Sequence, residues 1–497
     1  MDLRVAMSRA DSLKSWHADW RGLRVVVFGL GVSGFSVADT LAELGADVMV
    51  IAEKAASDQL EILDVIGVRH ITGAAAAGLP TSVVDFAPEL IVTSPGVRPD
   101  HELINWAIDN EVDVWVDIEL AWRVRDKLPK IAPWICVTGT NGKTTTVQLV
   151  EAMANSAGIR AIACGNIGTP VLDAIREPDG FDLLVVELSS FQLHYLGEIS
   201  PIAAAVLNVA DDHLDWHGGF DNYSSIKGKV YENTQIACVY NVQDQATEKL
   251  VENADVIDGA RAIGFTLGAP ARSQVGYVEN LLCDRAFLDE RADQALEIAT
   301  LEDISQIGVV TPHLLANVAA ATALARSVGI APNEIRDAII NFRLDAHRIE
   351  VIGESSEIRW VDDSKATNPH AADASLASFD SCVWIVGGLL KGVDISNLVA
   401  KNKQKLRAAV VIGKDRELVL QAFSSHAPDV QVLEVTAESG AAVMLSAVEL
   451  ASQVALPGDV VLLAPAAASM DQFNDYADRG NQFAKAVREK IGLNNGI

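Results

Sequence analysis

Apolar residues in this chain fall into short runs, each stopped by glycine or a polar residue and followed by a stretch of helical character. The first run is Leu23-Arg24-Val25-Val26-Val27-Phe28, closed by Gly29-Leu30-Gly31-Val32-Ser33-Gly34 and a helix reaching Leu44. Val48-Met49-Val50-Ile51 follows Gly45, and Leu90-Ile91-Val92-Thr93 runs into Ser94-Pro95-Gly96. Further along come Trp134-Ile135-Cys136-Val137, Leu183-Leu184-Val185-Val186 and Ala203-Ala204-Ala205-Val206-Leu207. Four more runs complete the series: Ile358–Val361, Val383–Val386, Ala409–Ile412 and Val460–Leu463. Continuous apolar strands alternating with helices predict an α/β chain built on parallel sheets. His313–Ser327 is an Ala/Leu-rich helix ended near Gly329. Between 254 and 310 the pattern shortens and is punctuated by Gly, Ala and Pro, so no strands are assigned there.

The punctuation divides the chain into segments 1–126, 127–344 and 345–497, the first two linked by Lys127-Leu128-Pro129-Lys130. A length of 497 residues with 49% hydrophobic content and a mean hydropathy of +0.21 supports several real cores. No run of eighteen apolar residues occurs, so no membrane insertion is expected. Met1–Arg24 is interspersed with charges and lacks the apolar centre of a secretory signal. Cys136, Cys164, Cys238, Cys283 and Cys382 are far apart and form no C-x-x-C, which favours reduced thiols and a cytoplasmic setting. The formal charge of −28 repels polyphosphate backbones, so no nucleic-acid partner is expected.

The strongest chemical signal is Thr138-Gly139-Thr140-Asn141-Gly142-Lys143-Thr144-Thr145-Thr146, set between an apolar run and Val147-Gln148-Leu149-Val150. Glycines let backbone N–H groups turn toward phosphate oxygens, and the helix start adds partial positive charge. Lys143 would neutralise the outer phosphates, and the Thr144 hydroxyl would reach Mg2+. The long form of this loop has a glycine where Val137 stands, so Gly139–Thr144 is a shortened version. A Gly/Thr-rich turn capping a helix is the plainer alternative.

Gly29-x-Gly31-x-x-Gly34, with Glu53 downstream, matches a dinucleotide fingerprint. Those mechanics demand only a diphosphate and a nearby sugar, so a nicotinamide coenzyme and a nucleotide-diphosphate-linked substrate both fit. The ATP-type loop further along favours the latter, and a structural tight turn is the plainer alternative. Glu187 closes an apolar run in the phosphate-loop segment and suits Mg2+, unless it is an exposed or capping residue. Asp211-Asp212-His213-Leu214-Asp215-Trp216-His217 packs potential ligands closely, or forms a solvated acidic loop. By spacing alone, Lys227 and Lys229 read as surface lysines.

Taken in order, Gly139-Thr140-Asn141-Gly142-Lys143-Thr144, Glu187-Leu188-Ser189-Ser190-Phe191-Gln192, Asp212-His213-x-Asp215, Tyr223-x-x-x-Lys227, Asn317, His347-Arg348 and Asp363-Ser364-Lys365-Ala366-Thr367-Asn368 resemble the Mur ligases. These are ATP-dependent amide-forming enzymes of peptidoglycan precursor synthesis. The resemblance spans essentially the whole chain. Ser94-Pro95-Gly96, the Glu187–Leu193 run, Ser469-Met470-Asp471-Gln472-Phe473 and Arg479-Gly480 are similar to the branch that adds D-glutamate to UDP-N-acetylmuramoyl-L-alanine.

The resemblance implies three α/β domains: an N-terminal Rossmann-like parallel sheet for the UDP-sugar, a central P-loop ATPase-type domain and a C-terminal Rossmann-like domain for the amino acid. It implies that Val32, Ser33, Glu53, Ser94 and Gly96 hold the UDP-sugar and that Asn166 touches its lactoyl-alanine arm. ATP would engage Gly139, Thr140, Asn141, Gly142, Lys143, Thr144, Thr145, Asn317, His347, Arg348, Asp363 and Lys365. Thr144 and Glu187 would hold one Mg2+ and His213 a second, shared with a Lys227 carbamylated by CO2. Thr367, Lys391, Ser469 and Tyr476 would hold D-glutamate, while Lys143, His213, Lys227 and Arg348 would carry the catalysis. A monomer is expected. This sequence departs from the family at Leu389-Leu390, where an acid is common, at Ala464, where a serine is frequent, and at Ile51-Ala52-Glu53, where the carboxylate is shifted by one residue. The rival readings are a relative that adds another amino acid or extends folate, a nicotinamide-dependent oxidoreductase, and a non-catalytic nucleotide-binding module.

Overall fold

The computed structural model describes residues 9–438 and 440–492. Its strands form three sheets. The first contains β1 (Arg24–Phe28), β2 (Asp47–Ala52), β3 (Arg69–Thr72), β4 (Leu90–Thr93) and β5 (Asp113–Val116), in the order β3-β2-β1-β4-β5. All its pairings are parallel. The order reverses direction at β1 and β4, and ligands bind beyond the carboxyl ends of strands at such a switch. Gly29, after β1, and Ser94, after β4, therefore become neighbours.

The second sheet contains β6 (Trp134–Thr138), β7 (Ala161–Gly165), β8 (Leu183–Glu187), β9 (Ala203–Val206), β10 (Ala237–Asn241), β11 (Arg261–Phe265), β12 (Gln274–Val278), β13 (Leu281–Asp284) and β14 (Leu296–Thr300). Their order is β14-β13-β12-β11-β10-β9-β6-β8-β7. β6, which leads into the lysine-bearing loop, thus lies between β8 and β9. The region left unassigned from sequence holds β11 to β14, whose far end is antiparallel. Glycines inside β11 and β12 hide the pattern there: a Cβ at Gly264 would lie 2.6 Å from Val242 Cγ2, and one at Gly276 2.5 Å from the Gly268 carbonyl oxygen.

The third sheet contains β15 (Glu350–Ser355), β16 (Ile358–Asp362), β17 (Cys382–Gly387), β18 (Leu406–Ile412), β19 (Gln431–Glu434) and β20 (Val460–Leu463), in the order β15-β16-β20-β17-β18-β19. Four of these six strands are the apolar runs of the sequence. The two edges, β15 and β19, are only partly buried and lack a continuous apolar signature. Every pairing except β15 with β16 is parallel.

The first two sheets belong to one compact unit, which also takes in Ala316–Ile339, and the third sheet belongs to a second. Within the first unit one apolar core runs from Val25 and Val27 through Trp115 to Trp134, Val186 and Val206. Its two sheets are also joined by polar contacts. Ser36 donates to Asp173 at 2.6 Å, and Arg176 reaches Asp39 at 2.6 Å and Glu43 at 2.9 Å. All five cysteines are buried and unpaired. Among the described residues, no helix is long and apolar enough to cross a membrane.

Candidate active site

The Gly139–Lys143 loop follows β6 directly and opens the helix Lys143–Ser156. Two glycines adopt the left-handed conformations the turn requires, with φ of +152° at Gly139 and +85° at Gly142. A Cβ at Gly142 would stand 2.3 Å from Asn317 Oδ1, so the glycine is what admits Asn317 to the loop. Asn208, just beyond β9, clamps the other side. Its Oδ1 accepts from the Asn141 N–H at 2.9 Å, and its Nδ2 donates to the Asn141 carbonyl at 3.0 Å. Lys143 Nζ donates to the carbonyls of Gly139 and Thr140 at 2.8 and 2.9 Å.

Glu187 ends β8, in register with Val137 of β6, which sets its carboxylate beside the loop. The side chain is only 2% exposed. Its Oε1 accepts from Asn166 Nδ2 at 2.9 Å, whereas its buried Oε2 has no hydrogen-bond partner. Buried carboxylate oxygens are normally satisfied, and an unsatisfied one beside a phosphate-type loop is what a hard cation would complete. Thr144, 7% exposed at the start of the helix, supplies a hydroxyl of the matching kind. The residues present therefore fit Mg2+, with Asn166 orienting the carboxylate from behind.

Lys227 is not a surface lysine. It is 1% exposed, donates to the Gly139 carbonyl at 3.0 Å, and lies 4.6 Å from the centroid of the Tyr223 ring. Four residues apart on the helix Phe220–Gly228, the two side chains share one face. Tyr223 also meets the Thr140 hydroxyl at 3.1 Å. His213, in a left-handed conformation, packs on Phe191 at 4.7 Å. His217 stacks on the same Phe191, contacts Tyr223 and bonds Ser190 Oγ at 3.0 Å. Burial pushes its imidazole down to about 4, so the ring is neutral near pH 7.

At the first glycine loop, Cβ atoms at Gly29 and Gly34 would lie 2.3 and 3.4 Å from Ser94 Oγ. Val32, Glu53 and Gly96 are exposed around it, and Ser33 is half-buried. Sequence reading missed Asp117. This buried carboxylate accepts from Gln192 Nε2 at 3.2 Å on both oxygens and also bonds Ser33. Burial pushes its carboxyl up against those bonds. Asp117 thus joins the first loop to the Glu187–Gln192 run, and nothing in its local sequence distinguishes it from an ordinary helix-start acid.

In the second unit the strand tips of the third sheet gather the remaining candidates. His347, 7% exposed, meets Asp362 Oδ2 through Nδ1 at 2.7 Å, which raises the imidazole above its ordinary value of 6.5. Asp363 is 8% exposed; it accepts from Ser375 Oγ and from the Ile349 N–H, and burial pushes its carboxyl up to about 6. Lys365 Nζ donates to Tyr476 OH at 3.2 Å. Leu389 and Ala468 exchange backbone bonds at 2.9 and 3.0 Å, which ties the loop of exposed Lys391 to that of buried Ser469. Thr367 is half-buried. An acid does serve the Leu389-Leu390 loop, but it comes from beyond β18: Asp415 Oδ2 accepts from the Leu390 N–H at 2.8 Å. Arg479, fully buried, binds Ser364 through Nε and Nη2 and the Ala467 carbonyl through Nη1.

Comparison with known proteins agrees with this geometry. Residues 23–116 match the Mur ligase MurD-like N-terminal domain, 137–325 the Mur ligase middle domain and 347–467 the Mur ligase glutamate ligase domain. The chain is 56% identical to a UDP-N-acetylmuramoylalanine--D-glutamate ligase of Leifsonia xyli, covering 99% of this chain and 97% of the relative. It is 48% identical to the enzyme of that name from Streptomyces avermitilis, covering 95% and 99%. Among solved structures, a UDP-N-acetylmuramate-alanine ligase from Thermotoga maritima aligns with a TM-score of 0.56 at 18% identity, over 94% of this chain and 99% of that one. A MurF ligase from the same organism, bound to ADP, aligns at 0.53 and 15%, over 96% and 99%. At those identities the two structures attest the fold alone.

Proposed function

This chain belongs to the Mur ligase family, and from that membership we propose that it joins D-glutamate to UDP-N-acetylmuramoyl-L-alanine at the expense of ATP, in the cytoplasm, during peptidoglycan precursor synthesis. The family uses ATP and Mg2+. The observation that carries the chemistry is the buried, unpartnered Glu187 Oε2 beside a glycine loop bearing Lys143. The substrates follow from the names of relatives that match along nearly the whole chain.

In the reaction the alanyl carboxylate attacks the γ-phosphorus of ATP, giving ADP and an acyl phosphate. The D-glutamate amine then attacks the acyl carbon, and the tetrahedral intermediate collapses with loss of phosphate. No side chain forms a covalent bond with a substrate, so positioning and electrostatics supply most of the rate. Lys143 and the N–H groups of the Gly139–Thr145 loop hold the outer phosphates, Asn317 engages the ATP beside the loop, and Arg348 stabilises charge on the terminal phosphate. His347, Asp363 and Lys365 belong to the ATP side. Val32, Ser33, Glu53, Ser94, Gly96 and Asn166 belong to the UDP-sugar, and Thr367, Lys391, Ser469 and Tyr476 to D-glutamate. Glu187, Thr144 and His213 would hold Mg2+, which when bound offsets negative charge on the phosphoryl group. The domains assigned to these tasks are 1–126, 127–344 and 345–497, in a monomeric chain.

Lys227 takes part as a carbamate. Its neutral amine adds CO2 and releases a proton, leaving an N–H toward the Gly139 carbonyl and two oxygens able to bind a cation. Buried Lys227 Nζ, already bonded to that carbonyl, supports this reading. Lys227→Ala should lose activity that acetate or formate partly restores; no rescue at any carboxylate concentration counts against the carbamate. Orthophosphate release with magnesium, UDP-N-acetylmuramoyl-L-alanine and a panel of amino acids tests the whole assignment. Release should require D-glutamate, and a preference for another amino acid would move the chain to a different branch.

A further inference from the structure

We propose that Asp362 and Gly480 are positioning residues for Arg348: together they lock a strained turn, residues 347–349, whose middle residue is the arginine. The inference deepens the proposed ligase reading and rests on Arg348 acting at the terminal phosphate.

Arg348 is flanked by two non-glycine residues in left-handed conformations, His347 with φ of +68° and Ile349 with φ of +47°. For a β-branched residue such as Ile349 this is a marked outlier, and such strain persists only where the surroundings over-determine it. Here the turn is fastened at four points. Asp362 Oδ2 meets His347 Nδ1 at 2.7 Å. The Asp363 carboxylate accepts from the Ile349 N–H. Glu350 Oε2 accepts from the His347 N–H at 2.9 Å, and the His347 carbonyl accepts from the Lys365 N–H at 3.3 Å. Adjacent acids at the end of β16 therefore grip the residues on either side of the arginine.

Gly480 closes the clamp from the helix Tyr476–Ile491. A Cβ there would lie 2.2 Å from His347 Nδ1 and 2.8 Å from Asp362 Oδ2. The helix has little freedom to back away, because neighbouring Arg479 is bound to Ser364 and Ala467. His347, Glu350 and Asp362 also bring ligand-type atoms within 4.8 Å of one another. Asp362 Oδ1 accepts from the Ser364 N–H at 2.9 Å, and Asp362 Oδ2, His347 Nδ1 and Glu350 Oε2 are engaged in fastening the turn.

The test is a cycle of Asp362→Asn, Arg348→Lys and the pair, with Gly480→Ala alongside, each read for kcat and for KM with the three substrates. Asp362→Asn should lower kcat roughly tenfold and Gly480→Ala roughly a hundredfold, with KM for UDP-N-acetylmuramoyl-L-alanine within about twofold of the parent. In the Arg348→Lys background, Asp362→Asn should cost less than about twofold further. A full tenfold loss in that background, or no loss in the parent, overturns the clamp, and this holds even where Gly480→Ala fails to fold. If Arg348→Lys itself keeps the parent rate, the assignment of Arg348 to ATP is what falls.

Discussion

The phosphate loop of the second sheet and the strand tips of the third both bury charge, and they treat it in opposite ways. Beside the loop, Glu187 keeps one carboxylate oxygen buried and unbonded. At the tips, His347, Asp362, Asp363, Ser364, Ser375 and Arg479 spend their polar atoms on one another and on backbone groups. An incomplete shell marks where a ligand completes the structure, whereas a saturated network holds something else in place. The same residue types thus leave a valence open for a ligand in one region, and in the other hold one another in place, His347 and Asp363 of the proposed ATP side among them.

The comparison is attacked most directly at Lys143. Lys143→Ala should cut phosphate release by roughly a thousandfold or more, as expected when a phosphate-stabilising cation is removed. Calorimetric binding of UDP-N-acetylmuramoyl-L-alanine should survive. A variant retaining most of its turnover would remove the loop from the chemistry.

Glu187→Gln should lower the rate roughly a hundredfold. It should also raise the melting temperature in the absence of magnesium, because a buried anionic oxygen without a partner costs free energy that an amide avoids. A melting temperature that falls would mean that the carboxylate is satisfied within the protein.

At the saturated tips the effects should appear in stability against pH. The Asp363 carboxyl titrates at about 6 when folded, against 3.8 ordinarily. The folded state therefore holds this proton more tightly, and stability falls as pH rises from about 4 to about 6. The loss is on the order of 3 kcal/mol at 1.36 kcal/mol per pH unit. Asp363→Asn should abolish that slope in unfolding midpoints while leaving the enzyme inactive; an unchanged slope would place the titration elsewhere.

The smallest effect belongs to His347. Its folded value is raised above 6.5 by Asp362, so the stability it adds is full below pH 6.5 and is lost as pH rises through the folded value. Asp362→Asn should flatten that decline, and identical pH profiles for parent and variant would show the pair to be uncoupled.

Legibility followed local chemistry. β1, β4, β6, β8 and β20 could be read from their apolar runs because both faces of a parallel sheet are covered, which leaves an uninterrupted signal. β11 and β12 escaped because Gly264 and Gly276 break their runs to admit neighbouring backbone and side chains, and β13 and β14 are short and mix polar with apolar residues. β3, β5, β15 and β19 lie at sheet edges, where a half-exposed strand need not be apolar. Glu187 could be singled out as a carboxylate closing an apolar run beside the phosphate loop, whereas Lys227 emerged only as a member of an ordered set of motifs, since spacing alone left it an ordinary surface reading. Asn208, Asp117 and Asp362 carried no such signal, and Gly480 was legible only as part of the Arg479-Gly480 motif.

The sequence alone determined which buried parallel strands form, where glycines turn the chain and that a lysine and hydroxyls follow the second turn, since each depends on neighbours a few residues away. The strand order decided the rest. Setting β6 between β8 and β9 brings Glu187 and Asn208 to opposite sides of one loop, and placing β20 beside β16 brings Ala467 to the tip that Arg479 fastens. That order depends on apolar burial summed over distant parts of the chain, so no local window of residues contains it.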